Sequence, residues 1–311
     1  MSKASKTTTE SPSAAREPAA VLRSFSEPEE LSESIPEVDG EYIQVGRGDF
    51  RGQVIRTELG QVTLHQTYTS PEVVCDMAIP ASVLILGTAL DYDGELLVYG
   101  KPLERRQLFI PDGEFVRHGR SFAGAWIGVS REHFETTVSA LLGVDEVRIP
   151  RGFVVEHEAF ARALTGTIAA HVDAVQRHPE RFADPVIRSA AEHRLLSRAL
   201  DVVVAMCETA RAQEHLPYGK AQILRIASEY FDAHADERVS LADLAKVAAA
   251  SARSLNYAFQ DLVGMSPMRY FRMKRLGRAR SKLVQASPQR GAVKQAALGA
   301  GGLEKFRLQL L

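Results

Sequence analysis

Residues 240–283 read SLADLAKVAAASARSLNYAFQDLVGMSPMRYFRMKRLGRARSKL, and the punctuation of this run predicts three helices. Ser240 is a natural N-cap, and Asp243 falls in the first turn, where the helix dipole favours negative charge. The helix that follows buries Leu241, Leu244, Ala245 and Ala248, and a short turn around residues 249–251 leads to a second helix. On that second helix Leu255, Phe259 and Leu262 recur at intervals of four and three, so they face inward. By the same geometry Arg253, Asn256, Tyr257 and Gln260 face outward. Gly264 closes the helix as a C′ glycine, and Ser266-Pro267 opens the third. Between Arg269 and Lys282 the third helix carries seven basic residues and no acidic one, with Tyr270, Phe271, Leu276 and Leu283 on an apolar side.

Two short helices joined by a tight turn, the second presenting Arg, Asn and Gln, have the shape of a reader of the DNA major groove. Arginine pairs bidentately with guanine, and asparagine or glutamine with adenine, so Arg253, Asn256, Tyr257 and Gln260 are the expected base contacts. Ser251, Arg269, Arg272, Lys274 and Arg275 are the expected phosphate contacts, which hold register and carry little sequence information. The expected partner is double-stranded DNA.

The run closely resembles the DNA-binding domain of the AraC/XylS family of bacterial regulators. The shared features are the Leu-Ala-Asp-Leu-Ala opening, the Ser-x-Arg-x-Leu-x-x-x-Phe helix, Gly-Met-Ser-Pro, and the Tyr-x-x-x-x-Arg-Leu helix with its trailing Ala-Arg. The resemblance implies two helix-turn-helix units, usually behind a cupin-like sensor domain that responds to a small-molecule effector, and it makes RNA polymerase a candidate partner. The segment from Gly291 to Leu311 resembles only the start of the second unit. Gly302 stands where the family usually has Phe, and the closing helix is missing. The expectation is an incomplete second reader and weakened operator binding, since each good bidentate base contact is worth about 1–3 kcal/mol.

Working outward from this run, residues 220–311 hold 16 Lys and Arg against 7 Asp and Glu, a net +9 in a chain of net −1. The remaining residues therefore carry −10. A basic segment on an acidic body points to a polyanion partner for that segment alone. Residues 41–150 consist of short β-favouring runs such as QVTLHQTYT, SVLILGTAL and GAWIGVS, broken at Leu59-Gly60, Asp93-Gly94 and Asp112-Gly113. This predicts an antiparallel β barrel or sandwich, with helical spacing first at residues 131–142. Residues 1–40 are rich in Ser, Thr, Pro and Glu and read as a disordered tail. Residues 151–216 read as a helical linker, in which Leu195, Leu196, Ala199, Leu200, Val203 and Met206 form one stripe. That stripe packs either on the β domain or on a second copy of the chain, a homodimer through residues 190–214. LPYGK at 216–220 marks the boundary before the C-terminal domain. The fold class is thus α+β: an antiparallel β domain, a helical linker and an all-α helix-turn-helix domain.

Other chemistries are poorly supported. His65 and His118 stand singly rather than as a metal-binding pair. Glu156-His157-Glu158 lacks the second histidine of a zinc motif, since position 161 is Ala161. Gly46-Arg47-Gly48 lacks the context of a dinucleotide site, and Ser121 and Ser130 lie in no nucleophile elbow. No catalytic residue, metal site or cofactor is expected. Cys75 and Cys207 give no disulfide framework, no run approaches the roughly 18 apolar residues of a membrane span, and the N-terminus has no apolar signal segment, so a cytoplasmic location is expected. The rival reading is a cupin-like small-molecule binding protein or enzyme with a vestigial DNA-binding tail.

Overall fold

The computed structural model describes residues 20–35, 38–111, 113–147, 149, 153–155, 158–209, 218–235 and 237–285. The expected incomplete second reader at 291–311 lies outside them. Among the described residues nine strands form one antiparallel sheet: β1 (Ala20–Phe25), β2 (Asp39–Gln44), β3 (Arg51–Glu58), β4 (Val62–Ile79), β5 (Val83–Val98), β6 (Lys101–Pro102), β7 (Leu108–Ile110), β8 (Gly113–Ser130) and β9 (Phe153–Val154). The order is β1-β3-β4-β8-β5-β7-β9, with β2 beside the second half of β4 and β6 beside β5. The described residues also form eight α-helices: α1 (Pro28–Glu33), α2 (Arg131–Leu142), α3 (Glu158–Arg177), α4 (Pro185–Thr209), α5 (Tyr218–Ala233), α6 (Leu241–Val247), α7 (Ala252–Val263) and α8 (Pro267–Gln285). The α+β class and the antiparallel β-rich region stand as the sequence implies.

The three long strands have both faces covered, so each face must be apolar. Across β4, β8 and β5 the registers align Leu64, Ile127 and Leu86, and next Val62, Val129 and Leu84. These rows join Phe134 and Val138 of α2, Leu164, Ile168 and Val172 of α3, and Leu195, Ala199 and Val203 of α4 in one core. The interleaved row, His65 and Trp126, faces the other way, toward an inner cluster containing Val54, Val73, Cys75, Ile85, Phe109, Phe115 and Phe122. His65 and Trp126 stack there with ring centroids 3.8 Å apart.

The second half of β4 and the first half of β8 carry the C-terminal helices on their outer face. Ile43, Val74 and Val116 share a core with Leu224 and Phe231 of α5, Leu255 and Phe259 of α7, and Tyr270 and Phe271 of α8. The alternation on β8 changes parity where the register with β4 shifts: Phe122 and Trp126 point inward from even positions, but Phe115 and Arg117 from odd ones. Ser121, with φ +45°, sits at this irregularity. A single-residue slip of this kind turns every following side chain to the opposite face.

Three expectations need correction. Residues 20–35 are not a disordered tail: β1 pairs along its length with β3, and Leu31 of α1 is fully buried. Averaging composition over the whole N-terminus hid this short apolar segment. Nor are α3 and α4 a linker, since they complete the sheet's own core. The α4 stripe is therefore covered within the chain, which removes the reason for expecting a second copy on residues 190–214. Asp93-Gly94 also fails to end a strand, because β5 passes through it with register shifts.

The seam between sheet and C-terminal helices is close. A Cβ placed on Gly100, which has φ +73°, would lie 1.1 Å from the Asp261 carbonyl oxygen of α7. Gly100→Val is expected to lower the melting temperature and expose the seam to limited proteolysis, since the left-handed conformation alone costs a β-carbon about 1–2 kcal/mol. Glu114 lies in the same seam, 3.2 Å from Arg225, and burial together with nearby Asp76 pushes its carboxyl up to about 7. An acid whose folded-state pKa is raised binds more protons folded than unfolded. Its contribution is therefore present at low pH and lost as pH rises from the ordinary carboxylate range through about 7. Melting temperatures measured across that interval should fall with pH more steeply in the wild type than in Glu114→Gln.

Candidate nucleic-acid interface

The local chemistry of residues 240–267 sets the geometry of the site. Ser240 Oγ accepts from the Asp243 amide at 3.2 Å while the Asp243 carboxylate accepts from the Ser240 amide at 2.9 Å, a reciprocal capping box. The Ser240 hydroxyl, which donates to the Asp243 carboxylate at 2.6 Å, and the Ser240 amide together hold that carboxyl below its ordinary value. Ala249, at φ +47°, makes the turn between α6 and α7. Ser251 then caps α7, its hydroxyl accepting from the Ser254 amide at 3.0 Å. Gly264 ends the helix in the left-handed conformation at φ +70°, and Pro267 begins α8.

One side of α7 is locked. Leu255, Ala258, Phe259, Leu262 and Val263 are buried, and Phe259 meets Tyr270 and Phe271 with ring centroids 5.4 Å away in each case. Phe231 stacks on Phe271 at 4.4 Å, closing an aromatic cluster that joins α5, α7 and α8. The opposite side is open: Arg253, Tyr257 and Gln260 are exposed and Asn256 is half-exposed. Arg253 donates to the Tyr257 hydroxyl at 3.0 Å, with its guanidinium 5.3 Å from the ring centroid. Asn256 donates to the Ala252 carbonyl at 2.9 Å. All four predicted base-reading residues thus share one accessible face.

Residues 244–301 match a family model described as a helix-turn-helix domain. This segment is an AraC-type helix-turn-helix domain. The probable thc operon regulatory protein of Rhodococcus erythropolis is 35% identical over 85 residues, 27% of this chain and 26% of that protein, so the match spans about a quarter of the relative's length. The crystal structure of the AraC-like transcriptional activator CuxR aligns over 82% of this chain and 94% of that one, at 12% identity and a TM-score of 0.44.

The AraC-type domain does not present every predicted phosphate contact. Ser251, Arg269 and Arg272 are exposed. Lys274 is only 5% exposed, its ammonium held 2.9 Å from Asp232 and 3.0 Å from Glu41. Arg275 donates to the Glu237 carbonyl at 2.6 Å and lies over the Phe231 ring. Arg278 binds Asp232 at 2.6 Å, and Arg280 reaches Glu27 and Gln44. Lys274 and Arg275 are thus tied to the protein itself rather than offered to a phosphate. The sequence count of basic residues missed this because it cannot show which cations face the acidic β domain. Leu276, expected on the apolar side, is 39% exposed.

Among the described residues no group of three His, Cys, Asp or Glu could hold a metal ion, and no helix is long and apolar enough to cross a membrane. His118 bonds to Glu72 at 2.8 Å, and His65 is buried. Sequence reasoning favours a core role for Trp126 and Cys75 and does not single out Tyr42, Arg117 or Phe122; all five line a cavity of about 60 Å³ inside the sheet. Phe259→Ala should destabilise the C-terminal helices by about 3–5 kcal/mol, the cost of emptying a buried aromatic site. Urea denaturation followed by circular dichroism reads this, with loss confined to part of the helical signal if the sheet retains its own core.

Proposed function

We propose that this protein is a sequence-specific, effector-responsive DNA-binding transcription regulator that lays α7 in the major groove. The accessible polar face of α7, backed by a helix side fixed in a core, carries this reading. Arg253, Asn256, Tyr257 and Gln260 contact base edges; Arg253 exchanges its bond to the Tyr257 hydroxyl for a guanine edge. The N-terminus of α7 at Ser251 and the surface cations Arg269 and Arg272 contact phosphates. The cavity in the sheet is the candidate effector site, because concave, mostly apolar spaces with a few polar groups favour small ligands. The AraC-type domain and the regulatory relative support the reading.

Selection of bound duplexes from random DNA, followed by fluorescence anisotropy, tests it. Affinity should fall steeply with salt through counterion release. Arg253→Ala should cost about 1–3 kcal/mol and relax preference at one base position, whereas Arg272→Ala should weaken all sequences alike and reduce the salt slope by about one. Binding that is indifferent to salt, or an Arg253→Ala protein with unchanged affinity and preference, would refute the assignment.

A further inference from the structure

Arg117 is 2% exposed and lines the inner cavity. Its guanidinium lies over the Phe122 ring at 3.8 Å and against the Cys75 thiol, which burial pushes up to about 11 and therefore leaves neutral. No described carboxylate pairs with Arg117, and its buried Nη1 has no hydrogen-bond partner. A guanidinium stays charged at any physiological pH, and a buried charge without a counter-ion is unfavourable. The register across three strands places Tyr42, Cys75 and Arg117 in one row, and the walls around them are mostly apolar: Ile35, Ile79, Ile85, Phe109 and Phe115 among others.

We propose that the cavity is a binding site for a small monocarboxylate with an apolar body, whose carboxylate meets the unpaired edge of Arg117. The stacked, planar fork suits a two-oxygen anion held bidentately. Phe122 fixes the plane of the fork, and the apolar walls take the remainder of the ligand. A volume of about 60 Å³ is several times the ~10–15 Å³ needed for one water, so the occupant is a compact molecule rather than a long chain. This assignment names the chemistry of the effector site suggested above, but it stands or falls on measurements made without DNA.

The test uses the whole protein and acid–amide pairs of the same shape, isovalerate with isovaleramide and benzoate with benzamide. Trp126, the sole tryptophan of the chain, lines the cavity and reports occupancy by fluorescence; thermal shift gives a second readout. At least one acid should bind about tenfold or more tightly than its amide, as expected where a charged donor would otherwise stay buried and unpaired. Arg117→Met should remove that preference while leaving the ligand-free protein equally stable or more so, because it deletes a buried charge that no described carboxylate pairs with. Arg117→Lys, which keeps a charge but not the fork, should retain the preference for acid in weakened form. The assignment is overturned if no acid binds the wild type below about 10 mM, some 3 kcal/mol of affinity. Amides that bind as well as acids, an Arg117→Met protein that still prefers the acid, or an Arg117→Lys protein that treats acid and amide alike would equally overturn it.

Discussion

Strands β2, β4 and β8 serve two interiors at once. Across them Tyr42, Cys75 and Arg117 form a row facing the cavity. The rows on either side, Glu41, Asp76 and Val116, then Ile43, Val74 and His118, meet the C-terminal helices. The Tyr270 hydroxyl donates to Asp76 at 2.6 Å, Lys274 binds Glu41, and Gly264 at the end of α7 lies beside His118. A pleated strand cannot move one row without moving its neighbours. On the proposed reading, a ligand in the cavity would sit behind the surface to which α7 and α8 are docked, one sheet thickness away.

The charge asymmetry takes on a second meaning in this setting. A basic C-terminal segment on an acidic body suggests a polyanion, yet Lys274, Arg278, Arg280 and Arg225 pair with Glu41, Asp232, Glu27 and Glu114. Lys274, Arg280 and Arg225 thereby tie the C-terminal helices to the β domain, whereas the Arg278–Asp232 pair lies within those helices. Arg269, Arg272 and Lys282 are exposed on α8. Arg269 and Arg272 lie on the side of α8 away from Lys274 and Arg278, so on the proposed reading a phosphate can be met there while the helix stays docked.

The C-terminal helices were readable because their signals are local. Ser240, Asp243, Gly264 and Pro267 mark helix ends within a few residues of the bonds they make, and the spacing of Leu255, Phe259 and Leu262 fixes the buried side of α7. The β-rich character and α2 were legible for the same reason. Contacts between distant residues were not. Arg117 reads as one more charged residue in an alternating strand, and only the parity change near Ser121 and the pairing with Cys75 put it indoors. Lys274 resembles a surface cation until Glu41, far away in sequence, is seen beside it. The α4 stripe announced that something must cover it, but nothing local identified the cover as the chain's own sheet.

Hydrogen–deuterium exchange on the full chain, with and without a selected duplex, tests the central claim of a reading helix mounted on the cavity wall. The account predicts slowed exchange at the start of α7 together with altered exchange in β2, the second half of β4 and the first half of β8. Protection of α7 with those strands unchanged would contradict the shared wall, and an unprotected α7 would contradict the reading helix itself.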